Sequence, residues 1–596
     1  MNRRRALQVV ACAAGFPLWA RAGSAFRRRR PGDPAWPSRA QWDRLDKAVG
    51  GNLIAVRSPL AACKTAPGGS ACAAIFKDLQ NPYYIGDNPG ITQTLGWTGA
   101  WKTEPSVYAV AARNAADVAA AVNFARENDL RLVVKGGGHS YLGTSNAPDS
   151  LLIWTRHMND IELHDAFVPH GCAGAVAAQP AVTMGAGTIW LHAYDAVTTK
   201  GGRYVQGGGC TTVGVAGLIQ SGGFGSLSKH YGLAAAGLLE AEVVTADGKI
   251  RIANACTNPD LFWALKGGGG GSFGVVTKLT LRTRELPAFF GGANFKVKAS
   301  SDAAYRELIA HFVDFYAENL FNEHWGEQAS LSSGNTLQIS MVFYDLDSIQ
   351  AQATWKPFLD WIAQRPNDLT LAGSPEIGAV PARNWWNAEF IEAHYPSAIT
   401  LNAGAGARPG EFWWAGDGDQ CGQFLYGYES LWLPSSLLQV AQRERLVDAL
   451  FGATRHFGFS LHCNKGLAGA PPEAIEAARN TATNPEVLTA FALAISADSQ
   501  SPAYPGIAGH EPDDAQGHSS AARIRAAMDE LRAVAPANGS YVSESNYFEK
   551  RWQQSYWGAN YSRLAAIKAK YDPKGLFFVH NGVGSERWSV DGFTRI

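Results

Sequence analysis

The residues best suited to chemistry in this 596-residue chain sit at the ends of glycine runs. In "RLVVKGGGHSYLG" an apolar stretch leads into Gly136, Gly137 and Gly138, and then into His139 and Ser140. In "GGGCTTVGVAG" Gly207, Gly208 and Gly209 lead into Cys210, followed by Val213, Gly214 and Gly217. A third run, Gly267 to Gly271, lies in "DLFWALKGGGGGSFGVVT". Glycines let backbone N–H groups converge on an anion with no Cβ in the way, so a dinucleotide pyrophosphate is the obvious ligand. Glycines also make tight turns, with His139 as a turn residue and Cys210 as a small buried hydrophobe. Spacing leaves both readings open. No P-loop occurs, and no G-x-G-x-x-G stands between a strand and a helix with an acid about 20 residues on. There is no C-x-x-C pair and no H-E-x-x-H, so no metal site is expected.

The elements around these runs follow from periodicity. "AADVAAAVNFARENDL" has apolar residues at helical spacing from Ala115 to Ala125, with Asn114 as its N-cap. A strand over residues 131–135 follows, and "AVTMGAGTIWLHAYDAV" reads as strand, turn, helix. Asp247-Gly248 between alternating apolar runs marks a hairpin, and "GSFGVVTKLTLRT", which contains Val276, is a further strand. Helices and strands mix without strict alternation, which predicts an α+β fold. After about residue 288 the texture changes to long helical patterns ("DAAYRELIAHFVDFYAENLF") with strands such as "NTLQISMVFYD" and "FLYGYESLWLP". If the last of these alternates as a strand should, Tyr426 and Tyr428 line one face, with Trp432 a further wall residue.

Taken together and in order, "KGGGHS", "TMGAGTIW", "GGGCTTVGVAGLIQSGGFG" and "DLFWALKGGGGGSFGVVT" resemble the flavin-linked oxidases of the berberine bridge enzyme type, within the vanillyl-alcohol-oxidase group. The likeness runs from about residue 105 to 285 and resumes in "YFEKRWQQSYWGANYSRLAAIKAKYDPKGLFFVHNGVG". It implies a PCMH-type FAD-binding domain, a substrate domain with an antiparallel sheet and flanking helices, and a C-terminal segment returning to the flavin domain. The expected division is a signal peptide at 1–25, an irregular lead-in at 26–103, the FAD-binding domain at 104–287, the substrate domain at 288–535, and the closing segment at 536–596. By the same resemblance FAD is the cofactor, bonded through His139 and through Cys210. Gly136, Gly137, Gly138 and Ser140 hold the pyrophosphate, and Gly214, Gly217 and Val276 complete the cofactor surface. Val213 falls at a position that gates dioxygen, where a small side chain favours an oxidase. Leu218 departs from the family, since several plant members carry a histidine there. The family's "YxNY"-like segment corresponds to "GSYVSESNYFEKRW", in which Tyr541 matches the first tyrosine. Ser543 and Glu544 stand where Asn and Tyr would be, leaving Glu544 and Tyr547 as alternative bases.

The reaction implied takes a hydride from a CH–OH or CH–NH carbon to flavin N5, with dioxygen reduced to hydrogen peroxide. The substrate is a small alcohol, sugar or secondary metabolite. Two alternatives stay open: a dehydrogenase passing electrons to a quinone or protein, and a non-catalytic flavin- or carbohydrate-binding protein. Lys+Arg and Asp+Glu balance at 52 each, which argues against nucleic acid or an anionic membrane as partner. Arg3, Arg4 and Arg5 precede a short apolar stretch and the small-residue "AGSA", the order of an export signal resembling the twin-arginine type. No later apolar run is long enough to span a bilayer. Without Cys12, seven cysteines remain, and the turn-rich loop between Cys63 and Cys72 makes them the best disulfide pair.

Overall fold

The structure, a computed structural model, describes residues 26–536 and 539–596. The export signal read in residues 1–25 lies outside them.

A four-stranded sheet holds the first glycine run. Its strands Tyr108–Ala111, Ser150–Trp154 and Arg131–Lys135 are parallel neighbours, and Leu53–Ala55 adds antiparallel on the outer edge. The helix Ala115–Glu127 is the crossover from Tyr108–Ala111 to Arg131–Lys135. Its first turn is capped by the Asn114 side chain, which accepts from the amides of Ala116 and Asp117. Val118, Ala121, Val122 and Ala125 bury its inner face. Gly136 therefore begins at the carboxyl end of a parallel strand, where ligands of such sheets bind.

An antiparallel sheet carries the other two runs at its edge. The strand Val275–Glu285 pairs with Leu238–Val244, Gln179–Gly185 and Arg203–Val205. Leu238–Val244 and Ile250–Asn254 form the expected hairpin, and Gly248 supplies the positive φ (76°) its turn requires.

The third sheet is large. Its central strands are Phe289–Ala299, Thr336–Tyr344, Trp325–Ser332, Phe459–His462, Ala490–Gln500 and Gln423–Pro434, all antiparallel. Leu337, Ile339, Met341 and Phe343 enter a core shared with the helices Asp302–Phe315, Ser348–Ala363, Val440–His456 and Asp514–Val534. Ser340 and Val342, on the alternate face, line a cavity. The architecture is α+β, with one face of this sheet on helices and the other towards the two smaller sheets.

The lead-in at 26–103 is more regular than its Pro- and Gly-rich composition suggests. Leu53–Ala55 extends the small sheet, while Thr94–Trp97 pairs parallel with Gln423–Pro434 and antiparallel with Trp101–Lys102. Thr94–Trp97 gains its order from a partner over 300 residues away, which local composition does not register. Cys63 and Cys72 are disulfide-bonded, and a second bridge joins Cys172 to Cys256. Cys210, Cys421 and Cys463 are free.

The closing segment returns to the sheets that carry the glycine runs. After the helix Tyr561–Tyr571, Asp572 accepts from the amides of Leu576 and Phe577. Buried Lys568 donates to Asp572, to the Ser272 carbonyl and to the Phe577 carbonyl, so the tail is tied to the third glycine run. No helix among the described residues is long and apolar enough to cross a membrane.

Candidate active site

A cavity of about 1300 Å³ lies between the small sheets, the large sheet and a roof formed by residues 384–421. That exceeds the volume of an ordinary small-ligand site and leaves room for a large cofactor together with a substrate.

One wall is almost bare backbone. Gly136 to Ser140, Cys210, Val213, Gly214, Gly217, Val276 and Gly269 to Ser272 all line it. A Cβ on Gly137 would stand 2.8 Å from the Gly214 amide nitrogen, and one on Gly214 would stand 2.9 Å from that of Gly137. The two motif loops thus touch backbone to backbone, which only glycine permits. This contact brings His139 and Cys210 to one wall, 71 residues apart in sequence. His139 Nε2 pairs with the Thr212 hydroxyl at 3.1 Å, leaving Nδ1 without that partner. Burial pulls the imidazole down to about 4. Burial, and then Asp417 beside it, push the Cys210 thiol well up. Leu218 also lines the cavity, in space left by Gly208 and Gly223, whose Cβ atoms would collide with it.

The residues present fit FAD. A Cβ at Gly217 would meet nothing within 4 Å, so its Cα borders open space. The Ser272 hydroxyl and the Gln220 side-chain carbonyl are buried on this wall with no partner in the protein. No lysine or arginine lines it, so a diphosphate there would be met by amides and hydroxyls.

The opposite wall is made of side chains. Tyr541 is buried, its ring edge-to-face with Phe224 at 4.9 Å, and burial pushes its phenol up. Three residues on, both Glu544 carboxylate oxygens accept from Lys465 Nζ, at 2.6 and 2.5 Å. Ser430 holds the same turn by donating to the Glu544 carbonyl at 2.5 Å. Tyr428 stacks on Tyr141 at 5.0 Å. Glu327, raised by burial, and His462, lowered by burial and by Lys465, complete this end. Asp417 hangs from the roof and is pushed up to about 6 by burial. The roof is fastened by Trp414 Nε1 donating to the Gly209 carbonyl at 3.1 Å.

Three residues read as site candidates lie off the cavity. Tyr547 stacks on His580 at 3.8 Å, and its carbonyl accepts from the His580 and Asn581 side chains. Tyr426 donates to Gln500 instead of facing the cavity with Tyr428, because a register shift between Leu425 and Gly427 breaks the alternation. Trp432 packs behind Phe224 at 5.7 Å. Sequence reasoning missed Lys465, Asp417, Glu327 and His462, which carry no local motif. Among the described residues no group of His, Cys, Asp and Glu is placed to hold a metal ion.

Residues 106–254 match the family model of an FAD binding domain, and residues 540–584 match that described as berberine and berberine like. A VAO-type flavoprotein oxidase of Thermothelomyces thermophilus is 31% identical over 95% of this chain and 94% of its own length. The chain belongs to the VAO-type flavoprotein oxidases. Like other members of this berberine-like branch, it is an FAD-linked oxidoreductase with an α+β, PCMH-type fold. The crystal structure of a VAO-type flavoprotein from Myceliophthora thermophila C1 superimposes on it with a TM-score of 0.76, at 27% identity, covering 96% of this chain and 100% of that one. A glucooligosaccharide oxidase from Acremonium strictum, described with a 6-S-cysteinyl, 8α-N1-histidyl FAD, shares the fold (TM-score 0.60, 19% identity, 88% of this chain and 99% of that one).

Proposed function

We propose that this VAO-type oxidase bonds FAD through both His139 and Cys210, oxidises a CH–OH or CH–NH substrate, and reduces dioxygen to hydrogen peroxide. The observation that carries the reading is the facing of two walls across one cavity: the histidine and cysteine on touching glycine loops, and a lysine-held carboxylate with a buried tyrosine opposite. FAD, when bound, accepts the two electrons of the substrate C–H bond and hands them to dioxygen. His139 is neutral well below neutral pH, and its Nδ1 is the nitrogen left for a bond to carbon. Cys210 is held as a thiol, and Asp417, at about 6, is the acceptor beside it for the proton that a bond from sulfur to FAD would release. That bond would leave two electrons on the flavin, which dioxygen would take. Gly136, Gly137, Gly138, Ser140, Gly214 and Gly217 supply the amides and the space for the diphosphate. Val213 and Val276 bound the ring, and the small side chain of Val213 favours dioxygen access.

On the substrate wall Glu544 removes the O–H or N–H proton, with Lys465 fixing both carboxylate oxygens. Tyr541 stays protonated and orients the substrate heteroatom by hydrogen bonding. Residues 1–25 direct export by the twin-arginine route after the cofactor is in place, and two disulfides suit an oxidising destination.

The test is to denature the purified protein in acid and map flavin mass onto the peptides containing His139 and Cys210. Flavin on both supports the reading, and flavin on His139 alone demotes Cys210. An oxygen electrode then separates an oxidase from a dehydrogenase. A folded sample without flavin would leave only a binding protein.

A further inference from the structure

The charge of the cavity lining is lopsided. Four carboxylates face it, those of Glu327, Glu376, Asp417 and Glu544, against a single ammonium, that of Lys465. Lys465 is already committed to Glu544. Glu376 is exposed at the start of the strand Glu376–Pro381. Glu327 lies deeper, 3.7 Å from where a Cβ on Gly209 would stand, and so beside Cys210.

Two of the unmet polar atoms near Glu327 are acceptors as well; the third, His462 Nδ1, donates or accepts with its tautomer. Asn464 is only 1% exposed, and its amide nitrogen donates to the Gly225 carbonyl at 3.0 Å and to Glu327 at 3.2 Å. That leaves Asn464 Oδ1 buried and unpartnered on the cavity lining, together with Asp417 Oδ2. A buried acceptor without a donor is costly, and a ligand that supplies donors relieves it. A sugar hydroxyl brings a donor, but its lone pairs would then face carboxylates. An ammonium brings donors only, with the charge these groups call for. The roof adds the indoles of Trp385, Trp386, Trp413 and Trp414, and aromatic faces attract cations.

We infer that the substrate end of this cavity takes a protonated amine attached to a ring system, in preference to a neutral sugar and to the exclusion of carboxylates. The inference rests on the cavity being the oxidase's substrate site and narrows its substrate to a cationic nitrogen compound. Glu376 at the mouth draws such a ligand in, Glu327 and Asp417 flank its nitrogen with Asn464 Oδ1, and the roof covers its ring.

Three probes of one shape test this on the protein as purified: 2-phenylethylammonium, 2-phenylethanol and phenylacetate, each titrated by calorimetry. The ammonium should bind about tenfold tighter than the alcohol, lose that lead in high salt, and phenylacetate should not bind. In Glu327→Gln, and separately in Asp417→Asn, the lead of the ammonium over the alcohol, both measured on the same flavin-loaded variant, should shrink to about twofold or less. Equal or tighter binding of the alcohol, binding of phenylacetate, or no binding by any probe overturns the inference. A lead that survives both substitutions overturns its assignment to these carboxylates. Flavin absorbance on the same sample keeps the two readings apart: absent flavin sinks the oxidase, whereas the order of the probes decides the amine.

Discussion

The wall that carries His139 and Cys210 is made of backbone, whereas the wall facing it is made of side chains. On the first, Cβ atoms are excluded by the chain itself. One on Gly137 would stand 2.8 Å from the Gly214 amide nitrogen, and one on Gly225 would stand 2.0 Å from the Gly207 carbonyl oxygen. On the second, Glu544, Lys465, Glu327 and Tyr428 reach in from four separate segments and meet only through their side chains. The backbone wall is therefore rigid in shape and intolerant of substitution where its loops touch. The substrate wall is set residue by residue and free to change its chemistry without moving the chain.

The contrast can be tested from both sides, and the largest effect belongs to the substrate wall. Glu544→Gln keeps the volume and removes the proposed base, so reduction of the flavin by substrate should slow by about 100-fold or more while the melting temperature holds. Lys465→Met leaves the carboxylate present but unheld and should slow the same step by about tenfold. A Glu544→Gln variant as fast as wild type would strip the substrate wall of its assigned base.

On the cofactor wall the expected loss is of stability. Gly137→Ala forces a methyl group to within 2.8 Å of the Gly214 amide nitrogen and 3.0 Å of the Thr212 carbonyl. Both obstacles are backbone, so about 1–3 kcal/mol of stability should go, measured by urea unfolding. Gly217→Ala is the control, because its methyl group enters open space within the helix Val215–Gln220. That chain should be as stable as wild type or slightly more so, yet retain less flavin. If the two variants behave alike, the glycines serve turns alone and the wall is no cradle.

This difference between the walls also explains what could be read in the sequence. Gly136 to Ser140 and Cys210 to Gly217 are contiguous, because one loop of backbone has to make one surface. Asn114, Asp247-Gly248 and the period of residues 115–125 were legible for the same local reason. Lys465 and Glu544 are 79 residues apart, and their meeting depends on how the strand Phe459–His462 lies in a sheet assembled from distant partners. Tyr426 shows the limit within a single strand, since the bulge that turns it away leaves no mark in the alternation of "FLYGYESLW". The second disulfide, between cysteines 84 residues apart, was likewise out of reach of spacing.

A smaller effect joins the roof to both walls. The Asp417 carboxyl sits at about 6 in the fold against 3.8 ordinarily, so the folded chain binds its proton more tightly than the unfolded chain does. Folding is then favoured while the group is protonated, and this advantage is lost as pH rises from about 3.8 through 6. Asp417→Asn, which cannot ionise, should be more stable than wild type by about 3 kcal/mol above pH 6, with the difference vanishing near pH 4. Thermal melts across that range would show it, and a constant difference would mean that Asp417 is not held in a charge-averse place. His139 works in the opposite sense over an overlapping window. Its folded value of about 4 lies below the ordinary 6.5, so the flavin-free chain should also lose stability as pH falls between them.

The least effect is expected from Tyr547→Phe. Tyr547 and Glu544 are three residues apart in one segment, and both are chemically able to take a proton. The fold separates them by direction: Glu544 faces Lys465 across the cavity, while the Tyr547 ring lies flat on His580 and within 6.2 Å of Trp97. Burial pushes the Tyr547 phenol up, which makes it a poorer base still, and its backbone carbonyl does the bonding that holds His580 and Asn581. Removing the hydroxyl keeps the stacked ring and that carbonyl, so turnover and stability should stay within about twofold and 0.5 kcal/mol of wild type. A large loss of turnover with an intact fold would mean that the segment turns over when substrate binds, exchanging Glu544 for Tyr547 at the cavity. In that case the wall of side chains would differ from the wall of backbone in mobility as well as in composition.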